Sequence, residues 1–169
     1  MAGQLVQVAT NTVTSAVSSV TLTGIDSDDV YMVALNNVQP ATDAAYIQLR
    51  FTVGGSADTS TNYDRAAKEL RADSSFGNSS ATNGSTINFI QNGTNTSETH
   101  QNIIYLYNFN NSSEYSFCTF EEASFMYAEA LRGRQGGAVL TETQATDGVH
   151  FSFSSGNIAS GTFTLYKVV

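Results

Sequence analysis

A strict two-residue alternation of apolar and polar side chains near the C-terminus is the feature that most constrains the fold of this chain. Val149, Phe151 and Phe153 alternate with polar residues over the segment 149–154. This period puts apolar side chains on one face only, which is the signature of a half-buried β-strand. The segment 162–168 repeats the pattern after a short loop that contains Gly and Ser. Two alternating segments joined by such a loop predict an antiparallel hairpin.

The same kind of pattern recurs along the chain at spacings near the ~8–12 residues typical of a sandwich or a barrel. The predicted strands are 4–8, 18–23, 30–35, 46–53, 86–90, 103–109, 115–127, 138–143, 149–154 and 162–168. One segment, 62–72, has helical spacing instead, with Asn62 as a candidate N-cap. The segments 74–85 and 91–100 are predicted loops. We therefore expect an all-β, antiparallel, jelly-roll-like β-sandwich with one short helix near 62–72, as a single domain over residues 1–169.

Composition excludes several classes of function. Ser, Thr, Asn and Gly supply 67 of the 169 residues, and charged residues are only 13%. A net charge of −8 argues against a nucleic-acid partner, because phosphate binding needs clustered Lys and Arg. No apolar run approaches the ~20 residues of a membrane span, and the N-terminus has no secretory signal. The single cysteine, Cys118, excludes an intrachain disulfide and is predicted to be a buried thiol.

Residues that could support chemistry are few. Asp26, Asp28 and Asp29 share one turn, which invites a hard-cation site, but their spacing lacks the glycine and distal glutamate of a calcium-binding EF-hand loop. His100 and His150 are fifty residues apart, and neither has a Ser or Cys motif beside it. A solvated acidic turn and ordinary histidines are the favoured interpretations. We predict no metal and no cofactor.

An enzyme acting on polysaccharide is the weakest hypothesis. Glu121, Glu122 and Glu129 could supply the two carboxylates that a glycoside hydrolase needs. The sequence does not place any two of them at a catalytic separation, and a charged bend on a strand is the simpler interpretation. We therefore predict that the chain is not an enzyme.

Aromatic residues are the better candidates for function, because Tyr is enriched where two proteins meet and can also stack on sugars. The alternative for the same residues is packing within the core. The candidate interface or glycan contacts are Tyr46, Arg50, Tyr63, Arg65, Tyr105, Tyr107, Tyr127 and Tyr166.

Three stretches of the chain resemble a family of small structural proteins of tailed bacteriophages, common in marine and cyanobacterial viruses. They are Val20-Thr-Leu-Thr-Gly-Ile-Asp with Asp29-Val-Tyr, Leu49-Arg-Phe-Thr followed by Asn62-Tyr-Asp-Arg-Ala, and Ala159-Ser-Gly-Thr-Phe-Thr-Leu-Tyr. The family often ends Leu-Tyr-Gly, whereas Lys167 follows Tyr166 here. These motifs are β-sandwich scaffolding and not catalytic signatures.

The resemblance implies a virion structural protein, most simply a capsid decoration (cement) protein or a tail-associated subunit. It implies a homo-oligomer, which we expect to be a homotrimer, bound to the major capsid protein or to tail proteins. The expected location is the virion, after synthesis in the host cytoplasm. The alternative is a receptor-binding tail-fibre module that recognises host-surface glycans.

Overall fold

Thirteen β-strands make up the fold in the computed structural model, which describes residues 3–128 and 130–169. The strands are β1 (Leu5–Val13), β2 (Ser19–Thr23), β3 (Tyr31–Pro40), β4 (Ala45–Val53), β5 (Ser56–Ala57), β6 (Tyr63–Arg71), β7 (Gly77–Gly84), β8 (Ile87–Asn92), β9 (His100–Tyr107), β10 (Tyr115–Met126), β11 (Ala130–Thr143), β12 (Gly148–Phe153) and β13 (Ile158–Val168). Neither range contains a helix, and so neither contains one that is long and apolar enough to cross a membrane.

The strands form two sheets. The larger sheet has eight strands in the order β1-β13-β3-β9-β10-β11-β6-β7, and the smaller has five, in the order β2-β12-β4-β5 with β8 also paired to β4. Every strand pair is antiparallel. The prediction of an all-β fold with antiparallel sheets is therefore confirmed.

One core lies between the inner faces of the two sheets, as in a β-sandwich. The alternation seen in the sequence points apolar side chains inward from both sheets, where aromatic rings meet. Phe151 of β12 lies 5.4 Å from Phe163 of β13, and Phe51 of β4 lies 4.7 Å from Phe109, measured between ring centroids. Cys118 is buried in the same core, as predicted.

The helix predicted near 62–72 is wrong, because this segment is strand β6. Ala, Lys, Glu, Leu and Arg favour a helix, but the segment pairs with β11 on one side and β7 on the other. Two hydrogen-bonded ladders outweigh a propensity worth a few tenths of a kcal/mol per residue. The predicted loop 74–85 contains the edge strand β7, whose polar sequence gives no apolar period.

The predicted C-terminal hairpin is also wrong. Strand β12 lies between β2 and β4 in the smaller sheet, whereas β13 lies between β1 and β3 in the larger sheet. The short loop between them therefore crosses from one sheet to the other. Each strand has one apolar face, and that face is buried equally well by pairing in either sheet.

Candidate functional site

The outer face of the larger sheet carries an unusual set of exposed apolar side chains. We call the outward-facing residues of β6, β9, β10 and β11 the aromatic face. Burial alternates strictly along most of β10, so each exposed residue of that strand has buried neighbours. The large apolar residues exposed on this face are Leu70 (41%), Ile103 (39%), Tyr105 (39%), Tyr115 (43%), Phe117 (42%), Phe125 (38%) and Leu131 (53%).

One row across the aromatic face combines a large side chain with small ones. Register places Tyr105, Thr119, Gly137 and Ala66 in one row across β9, β10, β11 and β6. In this row the side chains become smaller from Tyr105 on β9 to Gly137 on β11 and Ala66 on β6. A depression of about 470 Å³ lies over the small side chains, and Phe117 and Thr119 of β10 also line it.

Charge is scarce on the aromatic face although the whole chain carries −8. Lys68, Gln135 and Glu121 lie in one row across β6, β11 and β10. The Gln135 amide donates a hydrogen bond to the Glu121 carboxylate. Asp64 of β6 is a partly exposed acidic residue of these strands, and Glu142 near the end of β11 is exposed. The face is therefore suited to contact with an apolar surface.

Four of the candidate contact residues lie on β9, on β13 or in the turn after β10. Tyr105 and Tyr107 project from β9, and Tyr166 lies in the same row as Tyr105, with Met32 between them. The Tyr107 hydroxyl lies 3.3 Å from Thr119 Oγ1. Tyr127 is exposed in the turn that joins β10 to β11.

Three other candidates lie elsewhere. Tyr46 is 39% exposed at the start of β4, on the smaller sheet. Arg50 follows on β4 and donates a hydrogen bond from Nε to the Ser85 carbonyl at 3.0 Å. Arg65 is half-buried on β6 and donates from Nη1 to Ser79 Oγ at 3.1 Å. The structure does not bring these three residues onto the aromatic face.

Tyr63 is wrong as a candidate contact, because its side chain belongs to the core. It is 1% exposed, and its hydroxyl accepts a hydrogen bond from the Phe51 backbone N–H at 3.0 Å. Burial raises the pKa of Tyr63 well above its ordinary value. A residue enclosed in this way cannot touch a partner or a glycan.

A buried polar cluster, which the sequence did not predict, lies on the inner side of the larger sheet. His100 Nε2 of β9 is 3.5 Å from Glu122 Oε2 of β10, and Arg134 Nε of β11 is 3.6 Å from Glu122 Oε1. The Ile90 backbone N–H donates to Glu122 Oε2 at 3.0 Å. Arg134 also donates to Glu69 at 2.7 Å. Four strands therefore enclose one carboxyl group.

The histidine and the glutamate of this cluster are not an ion pair. Burial, followed by the charge of Arg134, lowers the pKa of His100 to about 3. Burial raises the pKa of Glu122 to about 7, against the opposing effect of Arg134. Between these values both groups are neutral, because each escapes the cost of a buried charge. Both side chains have no exposed surface, so no substrate reaches them.

The two-residue alternation of buried and exposed positions along the strands could have located this cluster. Glu122 lies two and four residues from the buried Phe120 and Cys118, and His100 lies four residues from the buried Ile104. Residues at these spacings share one side of a strand, so both polar side chains are expected on the buried side. Glu121 is adjacent to Glu122 and faces solvent, so the two glutamates lie on opposite sides of the sheet. Glu129 lies outside the described residues.

The acidic turn and the second histidine have ordinary partners. Lys167 Nζ lies 2.8 Å from Asp29 Oδ2, and Asp26 accepts a hydrogen bond from the Tyr31 hydroxyl at 2.9 Å. His150 Nδ1 lies 2.9 Å from Thr21 Oγ1. Among residues 3–128 and 130–169, no three His, Cys, Asp or Glu side chains are grouped so as to hold a metal ion.

Protein-family models, curated protein sequences and solved structures were each compared with this chain, and none of the three comparisons gave a match.

Proposed function

We propose that this protein is a bacteriophage virion structural protein, a capsid decoration or tail-associated subunit that acts through protein–protein contacts. The observation that carries the proposal is the aromatic face. Soluble monomers rarely expose a contiguous apolar patch larger than a few hundred Å². Seven large apolar residues, between 38% and 53% exposed, share one side of four neighbouring strands. Such a surface favours a function based on contact.

The strand pairing supports a jelly-roll topology with two insertions, which is the finer part of the proposal. Eight strands, β1, β2, β3, β4, β8, β9, β12 and β13, pair first with last and inward: β1 with β13, β2 with β12, β3 with β9, and β4 with β8. This is the pairing of one long ribbon folded over on itself. Jelly rolls are common in viral capsid proteins.

The insertions build most of the aromatic face. Strands β5, β6 and β7 come between β4 and β8, and strands β10 and β11 come between β9 and β12. Four of these strands extend the larger sheet beyond β9 in the order β10-β11-β6-β7. In this proposal the eight-stranded ribbon is the scaffold, and the added strands provide the contact surface.

The proposed partners are further copies of the chain and the major capsid protein or a tail protein, and the proposed location is the virion. Immunogold labelling of purified particles tests the location. Cosedimentation of the recombinant protein with expanded capsids or isolated tails tests the contact. We expect labelling of particles and saturable binding. A protein that neither labels particles nor binds any particle component would contradict the proposal.

The second candidate, recognition of host-surface glycans, is favoured by a small pocket beside Tyr46. The pocket has a volume of about 150 Å³, and Arg71 and Arg132 contribute to its lining. A tyrosine ring beside guanidinium groups suits a sugar that carries a carboxylate. Both arginines already have acidic partners, Glu69 and Asp73, so a ligand has to compete with them. A glycan array with the wild type and Tyr46→Ala tests this candidate, and a blank array excludes it.

A further inference from the structure

We propose that the pocket beside Tyr46 binds the carboxylate of an acidic sugar in competition with the buried carboxyl group of Glu122, so that a proton is taken up when the sugar binds. This inference rests on the second candidate function, the recognition of glycans. It deepens that candidate, because it names the charged group that the pocket holds and the residue that regulates its binding. The aromatic face plays no part in it.

The pocket concentrates positive charge that the rest of the chain lacks. The chain has seven Lys and Arg against fifteen Asp and Glu, yet three of the seven line this pocket. They are Arg71, Arg132 and Arg134, and Glu69 is the one carboxylate among the described residues of the lining. Arg71 and Arg132 lie directly opposite each other on β6 and β11, where like charges destabilise a sheet. An anion bound beside them relieves this repulsion.

One of these guanidinium charges has no opposite charge of its own. Arg132 is paired with Asp73, which lies outside the pocket lining. Arg71 and Arg134 share the single carboxylate of Glu69, with one oxygen at 2.7 Å from each. Within residues 3–128 and 130–169, the buried Nε groups of the same two arginines have no hydrogen-bond acceptor. Two cations therefore stand against one carboxylate, which favours an anionic ligand.

Glu122 is an internal competitor for this surplus charge. Its Oε1 lies 3.6 Å from Arg134 Nε. Burial raises the pKa of Glu122 to about 7, so its carboxyl group is largely neutral at pH 6 and largely ionised at pH 8. The ionised form supplies the charge that Arg134 lacks, whereas the neutral form leaves this charge to a ligand. Sugar binding and ionisation of Glu122 therefore oppose each other, and the effect is reciprocal.

The side chains around Glu122 do not produce the same pH dependence. The titratable or charged ones are His100 on β9, Arg134 on β11, and Arg65 and Glu69 on β6. His100 stays neutral above pH 6, because burial lowers its pKa to about 3. Arginine keeps its charge throughout this range. The pKa of Glu69 is lowered, because hydrogen bonds from two arginines outweigh the effect of burial.

The volume of the pocket limits what enters it. About 150 Å³ is well below the ~300–1,000 Å³ of clefts that enclose a whole small-molecule ligand. The pocket therefore takes one small group of the ligand, its carboxylate. The sugar ring then stays outside, against Tyr46, which lines the pocket and is 39% exposed.

Isothermal titration calorimetry of the full chain with glucuronic acid, N-acetylneuraminic acid and glucose at pH 6, 7 and 8 tests the proposal. Both acids stay ionised over this range, because an ordinary carboxyl group has a pKa near ~4. We expect at least one acid to bind, and glucose not to bind. Affinity should fall about tenfold from pH 6 to pH 8, because only about one molecule in ten keeps the Glu122 proton one unit above its pKa. Buffers of different ionisation enthalpy should report the uptake of about half a proton at pH 7.

Three variants separate the residues involved. Glu122→Gln has no proton to lose, so its affinity should stay at the wild-type value for pH 6, and the proton uptake should disappear. Arg71→Gln should weaken binding at least about tenfold at every pH, because it removes a charged donor from the lining. Lys68→Gln is the matched control: it removes the same charge from the exposed side of β6 and should leave the affinity unchanged.

Four outcomes would count against the proposal. Binding of neither acid would overturn this inference, and the glycan array then decides the second candidate on its own. Binding that Arg71→Gln abolishes but that does not vary with pH would overturn the competition and leave the glycan candidate standing. Proton uptake that persists in Glu122→Gln would also overturn the competition, and an uptake of zero in the wild type would do so even if that variant fails to fold. Acetate or an acidic peptide that binds as tightly as the acids would overturn the sugar as the ligand.

Discussion

The buried carboxyl of Glu122 makes the free energy of unfolding depend on pH in a way that one substitution removes. The pKa of Glu122 is raised by burial from 4.5 to about 7. Between these two values the folded chain keeps a proton that the unfolded chain releases. The contribution of Glu122 to the free energy of unfolding therefore falls as the pH rises through this window, whereas the contribution of His100, whose pKa is lowered from 6.5 to about 3, rises up to pH 6.5. A shift of this size corresponds to about 3 kcal/mol, since one pKa unit is about 1.4 kcal/mol.

Glu122→Gln keeps the shape of the side chain and an oxygen that can accept the Ile90 N–H, but it has no proton to lose. Arg134 retains its bond to Glu69. We expect the stability of the variant, relative to the wild type, to increase by about 3 kcal/mol from pH 4.5 to above 7. Urea unfolding at several pH values, followed by far-UV circular dichroism because the chain has no Trp, gives the difference directly.

Glu121→Gln is the matched control, because it changes the neighbouring glutamate, which is exposed on the opposite side of the sheet. Its stability relative to the wild type should stay nearly constant over the same pH range. Parallel pH profiles for Glu122→Gln and the wild type would refute the reasoning, since they would mean that Glu122 loses its proton equally easily in the folded and unfolded chains.

Three other predictions concern His100, Tyr63 and Gly136. The pKa of His100 is lowered from 6.5 to about 3, so its contribution to the free energy of unfolding falls as the pH drops below 6.5. His100→Gln should abolish this loss, which amounts to about 3 kcal/mol between pH 6.5 and 4 and is measured by urea titrations. Tyr63→Phe removes the acceptor of the Phe51 N–H and should cost about 1–3 kcal/mol in urea unfolding, whereas a neutral result would show that water or another acceptor replaces the hydroxyl. A Cβ at Gly136 would clash with the backbone of Ala66, so Gly136→Ala should lower the melting temperature by several degrees, a shift typical of about 1 kcal/mol. An unchanged melting temperature would show that β6 can move away from β11.

Strand positions were largely predictable from the sequence, because the two-residue period is a local property. The predicted strands 46–53 and 149–154 correspond to β4 (Ala45–Val53) and β12 (Gly148–Phe153). In β4 and β12, where the alternation is strict, the apolar side is the side that is buried. It failed for β6 and β7, where polar residues and helix-forming residues produce no apolar alternation.

The candidate site was predictable only in part. Tyr105 and Tyr107 were named as candidate contacts, but the sequence placed them in no common surface with Phe117 or the glycines of β11. The buried contact between His100 and Glu122 joins residues of neighbouring strands, and its neutral state depends on the burial of both side chains. Residue type and spacing alone do not specify that environment.

The sequence by itself determined that this chain forms strands, and which side of most of them is apolar. Only the tertiary structure decided which strands pair, because a β-strand leaves its backbone hydrogen-bonding groups open to any partner. Strand β1 pairs with β13 at the other end of the chain, while the consecutive strands β12 and β13 lie in different sheets. The aromatic face exists because β9, β10, β11 and β6 are neighbours in the larger sheet. Their pairing is stabilised by the packing of the whole sandwich and not by any one segment.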